Sequence, residues 1–268
     1  MTQFKNKTVL ITGGASGIGR IMAETALDKG ASAVIIWDIH EQNMHQFKTD
    51  YFDKRLLFNN VDVSNSESVL NAVQKLEATQ LTPDILILNA GIVSGKYFHE
   101  HLPGEIEKTI GVNILGCMIA ARAFLPAMIK RKSGHIVTIS SAAGMLANPG
   151  MAVYAASKWA VLGWSESLRL EMKMLKTGIN ITTVTPSFIN TGMFAGAKVN
   201  FLLPNLKPEK AAQKIISGIE SNKVFVRMPA LVYLLPFLKG ILPSSWFDLF
   251  IGKGLGVYNS MKQFKGRK

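Results

Sequence analysis

Seven short apolar runs punctuate the chain, at 7–12, 33–38, 55–61, 84–88, 134–140, 179–185 and 223–226. Uninterrupted runs of this length predict strands buried on both faces. Between them, apolar residues recur at helical spacing, which predicts helices over 17–30, 40–50, 65–79, 105–131, 151–176 and 207–221. Such strict alternation predicts an α/β fold, a doubly wound parallel sheet of about seven strands with helices on both faces. No internal repeat or low-complexity stretch interrupts it.

The first run ends in a glycine-rich turn. Thr8-Val9-Leu10-Ile11 leads into Thr12-Gly13-Gly14-Ala15-Ser16-Gly17-Ile18-Gly19-Arg20, and a helical pattern follows until Gly30. Gly13 permits a sharp turn, while Gly17 and Gly19, lacking a Cβ, allow a pyrophosphate to approach a helix N-terminus. Ser16 and Ile18 lie between those glycines on the same cradle. The spacing is G-x-x-x-G-x-G, not the commoner G-x-G-x-x-G. The second run, Ala33 to Trp37, ends at Asp38, nineteen residues after Gly19. An acid at that distance suits the two hydroxyls of an adenosine ribose and repels a 2′-phosphate. Ile39 and His40 follow it, and only Arg20 offers a nearby positive charge. The cofactor expected is therefore NAD, with NADP second. An ordinary N-cap role for Asp38 is compatible with this.

Chemistry is concentrated at Tyr154-Ala155-Ala156-Ser157-Lys158, with Ser141 thirteen residues upstream of the tyrosine. Residues four apart share a helix face. A phenol ordinarily titrates near ~10, and an ammonium beside it favours the phenolate. The pair suits proton exchange with an alcohol or carbonyl.

With these residues in view, the chain resembles the short-chain dehydrogenase/reductase family along nearly its whole length. Asn89-Ala90-Gly91, Asp62-Val63, Asn113, Ser141 in Ile139-Ser140-Ser141-Ala142-Ala143-Gly144, and Tyr154 with Lys158 match the family's motifs in order and spacing. Pro186 to Thr191 matches its P-G-x-x-x-T stretch, except that Ser187 replaces the glycine. The resemblance implies a Rossmann-type fold and a catalytic set of Asn113, Ser141, Tyr154 and Lys158. It implies cofactor contacts from Asp62, Val63, Asn89, Ala90, Gly91, Tyr154, Lys158, Ile189 and Thr191. In that scheme Lys158 lowers the tyrosine pKa and holds the ribose, Ser141 steadies the carbonyl oxygen, and Asn113 positions a water. Helices bearing Asn113 and Tyr154 pair across two-fold axes in the family, which implies a homodimer or homotetramer. A non-catalytic nucleotide-binding scaffold on the same fold is the alternative, against which the intact four residues argue. Asn89, Asn113, Ser140 and Ser141 also admit plain structural roles.

Composition adds boundaries. With 268 residues and 48% apolar content, one domain is expected, 1–190 forming the cofactor-binding and catalytic core and 191–268 a substrate lid and helical extension. The single cysteine, Cys117, excludes an internal disulfide and reads as core filler. The five histidines show no metal spacing, so no metal is expected, and His99 with His101 reads as a solvated pair. Met1 to Lys7 is polar, and no apolar span of transmembrane length is expected, which favours the cytoplasm.

The C-terminal portion differs from the rest. From Ala195 onward there are twelve Lys and Arg against three Asp and Glu, a net +9 of the chain's +12. The same stretch holds Phe201-Leu202-Leu203, Leu231 to Leu235, Phe237-Leu238, Trp246-Phe247 and Leu249-Phe250-Ile251, broken by Pro229, Pro236 and Pro243. Basic charge beside aromatic residues suits peripheral contact with an anionic membrane, or a lid over the substrate. Nucleic acid is not expected as a partner, since no binding module is visible. Thr191 to Phe194, Leu206-Lys207-Pro208-Glu209, Ile241-Leu242-Pro243 and the ending from Met261 to Arg267 resemble the retinol dehydrogenase and 17β-hydroxysteroid dehydrogenase branch, which implies a hydrophobic, lipid-, retinoid- or steroid-like alcohol or carbonyl as substrate.

Overall fold

The computed structural model describes residues 1–197 and 204–266. Phe201 to Leu203 and Arg267 lie outside the described residues. Seven strands form one parallel sheet: β1 (Thr8–Thr12), β2 (Ala33–Asp38), β3 (Leu56–Asn60), β4 (Ile85–Leu88), β5 (Gly134–Ile139), β6 (Ile179–Pro186) and β7 (Phe225–Met228). Their order is β3-β2-β1-β4-β5-β6-β7, every neighbour parallel. Strand order reverses between β1 and β4, so the loops leaving those strands diverge and open a crevice at the carboxyl edge.

Both faces of the sheet are buried, which explains the apolar runs. On one face Val9, Ile11, Val34 and Ile36 pack against α1 (Gly17–Asp28) and α7 (Pro208–Glu220). On the other, Leu10, Ile35, Trp37 and Leu86 meet α3 (Ser66–Ala78), α5 (Gly116–Lys130) and α6 (Ala152–Met174). Side chains alternate across a strand, so one run supplies both layers. Burying an aliphatic side chain stabilises by about 1.5–3 kcal/mol, and this pattern fixes the register. Asn65 caps α3, its carboxamide oxygen accepting from the N–H groups of Glu67 and Ser68.

Two elements depart from the sequence expectation. The helix expected over 105–131 is not uniform. It begins as α4 (Pro103–Ile110), widens into a π-helical turn at Gly111–Leu115, and continues as α5. At the end of that turn Gly116 has no room for a Cβ, which would meet Val63 Cγ2 at 2.8 Å. Pro103–Lys130 is also long and apolar enough to cross a membrane by length and composition alone, which the sequence reading did not anticipate. In the fold its inner side packs on the sheet through Cys117, Ala120, Ala121, Phe124 and Met128. The last strand starts two residues later than expected, because the chain turns at Asn222, where φ is +50°.

Beyond β7 the chain forms α8 (Leu235–Ile241), α9 (Ser244–Phe247) and a second π-helical stretch, Asp248–Gly254. Val232, Leu235, Phe247 and Val257 build a small separate core there with Met145 and Leu146. The tail then returns to the sheet's carboxyl edge. Asn148 donates to Ser260 Oγ at 2.7 Å, and Lys265 N donates to the Ala195 carbonyl at 2.9 Å.

Candidate active site

A cleft of about 760 Å³ runs along the carboxyl edge of the sheet. The glycine turn after β1 and Asp38 at the end of β2 line it, as do Asn89 to Gly91 after β4. Ser140 and Ser141 follow β5, Pro186 ends β6, and Tyr154 and Lys158 come from α6. All but two of the residues expected at the site line this one cleft: Gly13, Ser16, Gly17, Ile18, Asp38, Asp62, Val63, Asn89, Ala90, Gly91, Ser141, Tyr154, Lys158, Ile189 and Thr191. The exceptions are Gly19, buried inside the glycine turn, and Asn113, fully buried behind the cleft.

The glycine turn is built for close approach. Gly13 and Gly17 have φ of +61° and +57°, a region open to glycine. A Cβ on Gly19 would lie 2.4 Å from the Gly13 carbonyl oxygen, so the turn closes on itself only with glycine there. A Cβ on Gly17 would face Thr191 across the cleft at 3.5 Å. Asn89 fastens the turn from beneath, its Nδ2 donating to the carbonyls of Thr12 and Gly13 at 3.0 and 2.8 Å. Its side chain is thus spent on structure.

Asp38 is buried, and its two oxygens accept from Ala15 N and His40 N, each at 3.0 Å. It orients the glycine turn and keeps acceptor capacity toward the cleft, since each carboxylate oxygen has two lone-pair sites. Helix α2 (Glu41–Asp50) has His40, not Asp38, at its N-cap position. Arg20 is committed elsewhere. It donates to Glu24 and Asp50, both at 2.9 Å, and lies over the Phe47 ring at 4.6 Å.

At the other end of the cleft the Ser141 hydroxyl lies beside the Tyr154 phenol, near enough to favour its ionised form. It also accepts from Ala143 N at 3.1 Å and reaches the Pro186 carbonyl at 3.4 Å. Lys158 Nζ donates to the Ile139 carbonyl at 2.9 Å and stands 5.6 Å from the centre of the Tyr154 ring. The expected lowering of the tyrosine pKa is not the state of this site. Burial pushes the phenol up to about 12, outweighing the opposing pull of Ser141, and burial also lowers the Lys158 pKa. The reason is geometric: the ammonium is turned to a strand-end carbonyl, and Tyr154 sits among apolar side chains.

Asn113, in the π-helical turn, bonds Ile92 through both ends of its amide and donates to Ser157 Oγ at 3.0 Å. Its side chain has no donor left for a water. Gly91 preserves the gap in front of it, since a Cβ there would sit 3.4 Å from both Asn113 Oδ1 and Lys158 Nζ. π-turns of this kind recur at functional sites, and the sequence carried no periodicity signal for one.

The tail contributes a wall that motif reading missed. Phe264, Lys265 and Gly266 line the cleft. Phe264 lies against Gly95, where an added Cβ would meet its ring at 2.1 Å. Met261, Met151 and Tyr154 are buried together, with Val93, Phe188, Phe194 and Phe264 around them. Phe194 meets the Tyr154 ring edge-on at 5.9 Å and Phe188 at 5.1 Å. Only the aromatic spacing of the tail hinted at this box.

The cleft suits a dinucleotide on its own features. Three residues that line it, Trp37, Ser94 and Ser187, each carry a buried polar side-chain atom with no partner among the described residues. Such groups call for a ligand or water. No cluster of metal-ligating side chains occurs among the described residues. Cys117 is inert packing, its thiol pushed up to about 11 by burial. His101 corrects the solvated-pair expectation: its ring is buried, while His99 stacks on Tyr97.

Residues 7–200 match the short chain dehydrogenase family. Epidermal retinol dehydrogenase 2 of Mus musculus is 38% identical over 266 residues, covering 97% of this chain and 85% of that protein. Estradiol 17-beta-dehydrogenase 11 of Pongo abelii is 35% identical over 239 residues, covering 88% and 79%. Two solved structures share the fold. One is a short chain dehydrogenase/reductase from Burkholderia phymatum in complex with NAD, with a TM-score of 0.80, 23% identity and 95% and 98% coverage. The other, from Burkholderia cenocepacia J2315 in complex with NADP, has a TM-score of 0.80, 24% identity and 93% and 99% coverage.

Proposed function

The chain belongs to the short-chain dehydrogenase family, and we propose that it interconverts a hydrophobic alcohol and its carbonyl, with NAD as cofactor and Tyr154 as acid and base. The observation that carries this reading is the meeting of Ser141, Tyr154 and Lys158 in the cleft that also holds the glycine turn. NAD is favoured over NADP because Asp38 faces the cleft while Arg20 is held by Glu24 and Asp50.

The Gly13–Gly19 turn would hold the pyrophosphate and Asp38 the adenosine ribose, with Asp62 and Val63 beside the adenine. Gly91, Lys158, Ile189 and Thr191 would flank the nicotinamide half. When bound, NAD supplies a hydride acceptor for alcohol oxidation and, reduced, a hydride donor for the reverse. Ser141 holds the substrate oxygen through its hydroxyl. Tyr154 Oη takes the hydroxyl proton during oxidation and returns it during reduction. With its pKa near 12 the phenol is protonated at neutral pH, ready to donate. Accepting a proton requires the charge of Lys158 to move closer, away from the Ile139 carbonyl. Asn113 acts by clamping Ile92 and Ser157, which fixes the floor under Lys158.

The substrate class follows from the walls. Phe188, Phe194, Met261 and Phe264 surround Tyr154 and exclude water. A retinoid or a 17β-hydroxysteroid fits this lining, and similarity to retinol and estradiol dehydrogenases supports it. Residues 191–268 then serve as lid and extension to the 1–190 core, and the basic part contacts anionic membrane from the cytoplasmic side. The small residues Ala156 and Gly163 on α6 offer a surface for a homodimer or homotetramer.

The test is Tyr154→Phe, assayed with retinol and estradiol in both directions. Turnover is expected to fall by at least about a thousandfold, in the range of lost acid–base and oxygen-positioning terms. NADH binding, read by fluorescence, should stay within about twofold. Near-normal turnover in this variant would remove Tyr154 from the mechanism.

A further inference from the structure

Helix α8 carries one charged residue, Lys239, whose ammonium lies 3.9 Å over the Trp159 ring, and is otherwise apolar. Leu235, Leu238 and Leu242 face the small core below. A surface helix ordinarily turns a polar face outward. Here Leu234, Phe237 and Ile241 point out, at 51%, 65% and 62% exposure. Trp246 and Phe250 extend the exposed face, stacked edge-to-face at 6.0 Å. Single exposed apolar residues are ordinary, but an aromatic run on consecutive short helices marks an interaction surface.

Beside this face lies a pocket of about 270 Å³, and Tyr233, immediately before Leu234, belongs to its wall. Lys210 and Lys214, one helical turn apart on α7, line it together with Lys223, Gln213 and Ser217. Like charges four apart on a helix repel. Among the described residues none of these three lysines pairs with a carboxylate, and Glu220 at the end of the same helix is held by Lys29 at 2.9 Å. The pocket therefore offers uncompensated positive charge beside neutral hydrogen-bonding groups, which suits a phosphate.

We propose that this pocket receives the phosphate of an anionic phospholipid while the face from Leu234 to Phe250 enters the apolar boundary of the same leaflet. The inference deepens the membrane contact read above and rests on it. Phosphate and hydrocarbon occupy adjacent layers of one leaflet, as the pocket and the face are adjacent here.

Vesicle flotation with the full chain tests it, using phosphatidylcholine vesicles with and without phosphatidylserine, and inorganic phosphate as free competitor. Binding should be at least about tenfold tighter with phosphatidylserine and weaken with salt. The combined change Lys210→Ala, Lys214→Ala and Lys223→Ala should lose about tenfold on the anionic vesicles only. Phe237→Ser with Trp246→Ser should lose about tenfold on either vesicle. Both variants should bind NADH as the parent does, which establishes the fold. Full binding by the lysine variant would overturn the pocket and leave membrane contact standing. Full binding by the Phe237/Trp246 variant would overturn the face. A parent chain that ignores anionic vesicles at low salt defeats the membrane reading and this one together. Displacement by millimolar inorganic phosphate would assign the pocket to free phosphate. If light scattering shows a dimer that the Phe237/Trp246 variant breaks, a second copy covers the face, and the proposal fails.

Discussion

The glycine turn at residues 13–19 and the tail at 257–266 line the same cleft, but they reach it by different physics. The turn takes its shape from its own residues and is braced by adjacent strand ends. A buried strand delivers it, positive φ angles shape it, and Asn89 ties it from the next strand. The tail makes short local turns, but what seats it on the cleft is distant in sequence: Asn148 on Ser260, Ala195 on Lys265, and the bare surface of Gly95 under Phe264. Under the proposed function, cofactor binding would rest on the turn's own geometry, and substrate choice would fall to a segment that can change without disturbing the sheet. Elements held by few tertiary contacts open at lower cost than core strands.

The largest effect expected breaks the first side of that comparison. Gly19→Ala places a Cβ where only 2.4 Å separates it from the Gly13 carbonyl. The turn must deform, at about 1–3 kcal/mol of stability. NADH binding should fall by more than about tenfold, read by fluorescence titration, with a lower melting temperature. Retained affinity would show that the turn has slack the contacts do not reveal.

A smaller effect, on the other side, separates the two regions. Phe264→Ala leaves the sheet untouched and opens the wall beside Tyr154. The catalytic efficiency kcat/KM for a retinoid or steroid should drop by about tenfold, as when about 1.4 kcal/mol of apolar contact is lost. NADH affinity and activity on a short-chain alcohol should change by less than about twofold. Equal losses on long and short alcohols would mean that the tail supports the catalytic residues and does not select substrate.

The same contrast explains what was legible in the sequence. The strands could be read because both faces of the sheet are buried, which writes an unbroken apolar run. The glycine turn, Asp38 and the Ser141, Tyr154 and Lys158 set could be read because backbone geometry and proton chemistry each demand particular residue types. The π-helical turn at Asn113 was invisible, since one added residue in a helical turn leaves the apolar pattern nearly intact. Phe264 was legible as part of a greasy, basic tail, but its seat on Gly95 depends on two segments about 170 residues apart. The direction of Lys158 also escaped: spacing puts it on the face of Tyr154, and only the fold supplies the Ile139 carbonyl that draws it away.

The smallest expected effect joins the two regions at Tyr154, whose ring belongs to the core helix and whose cover comes from the tail. Its pKa is raised to about 12, and burial is the first cause. Burial disfavours the charged phenolate, so the group keeps its proton through neutral pH. On the proposed mechanism reduction needs that proton and should be nearly flat between about pH 6 and 9. Oxidation needs the phenolate, so its rate should climb by about tenfold per pH unit across the same range. Removing the cover in Phe264→Ala admits water, relieves desolvation and lowers the phenol's pKa. The oxidation profile of that variant should move to lower pH by about half a unit, equal to about 0.7 kcal/mol of recovered phenolate stability. Lys158→Met should move it the opposite way, because the charge that must approach Tyr154 for the phenolate to form is gone. Profiles of kcat for both directions, measured at saturating cofactor for parent and both variants, check this. A Phe264→Ala profile that stays in place would mean that the core helix and its strand ends, not the tail, keep water from Tyr154.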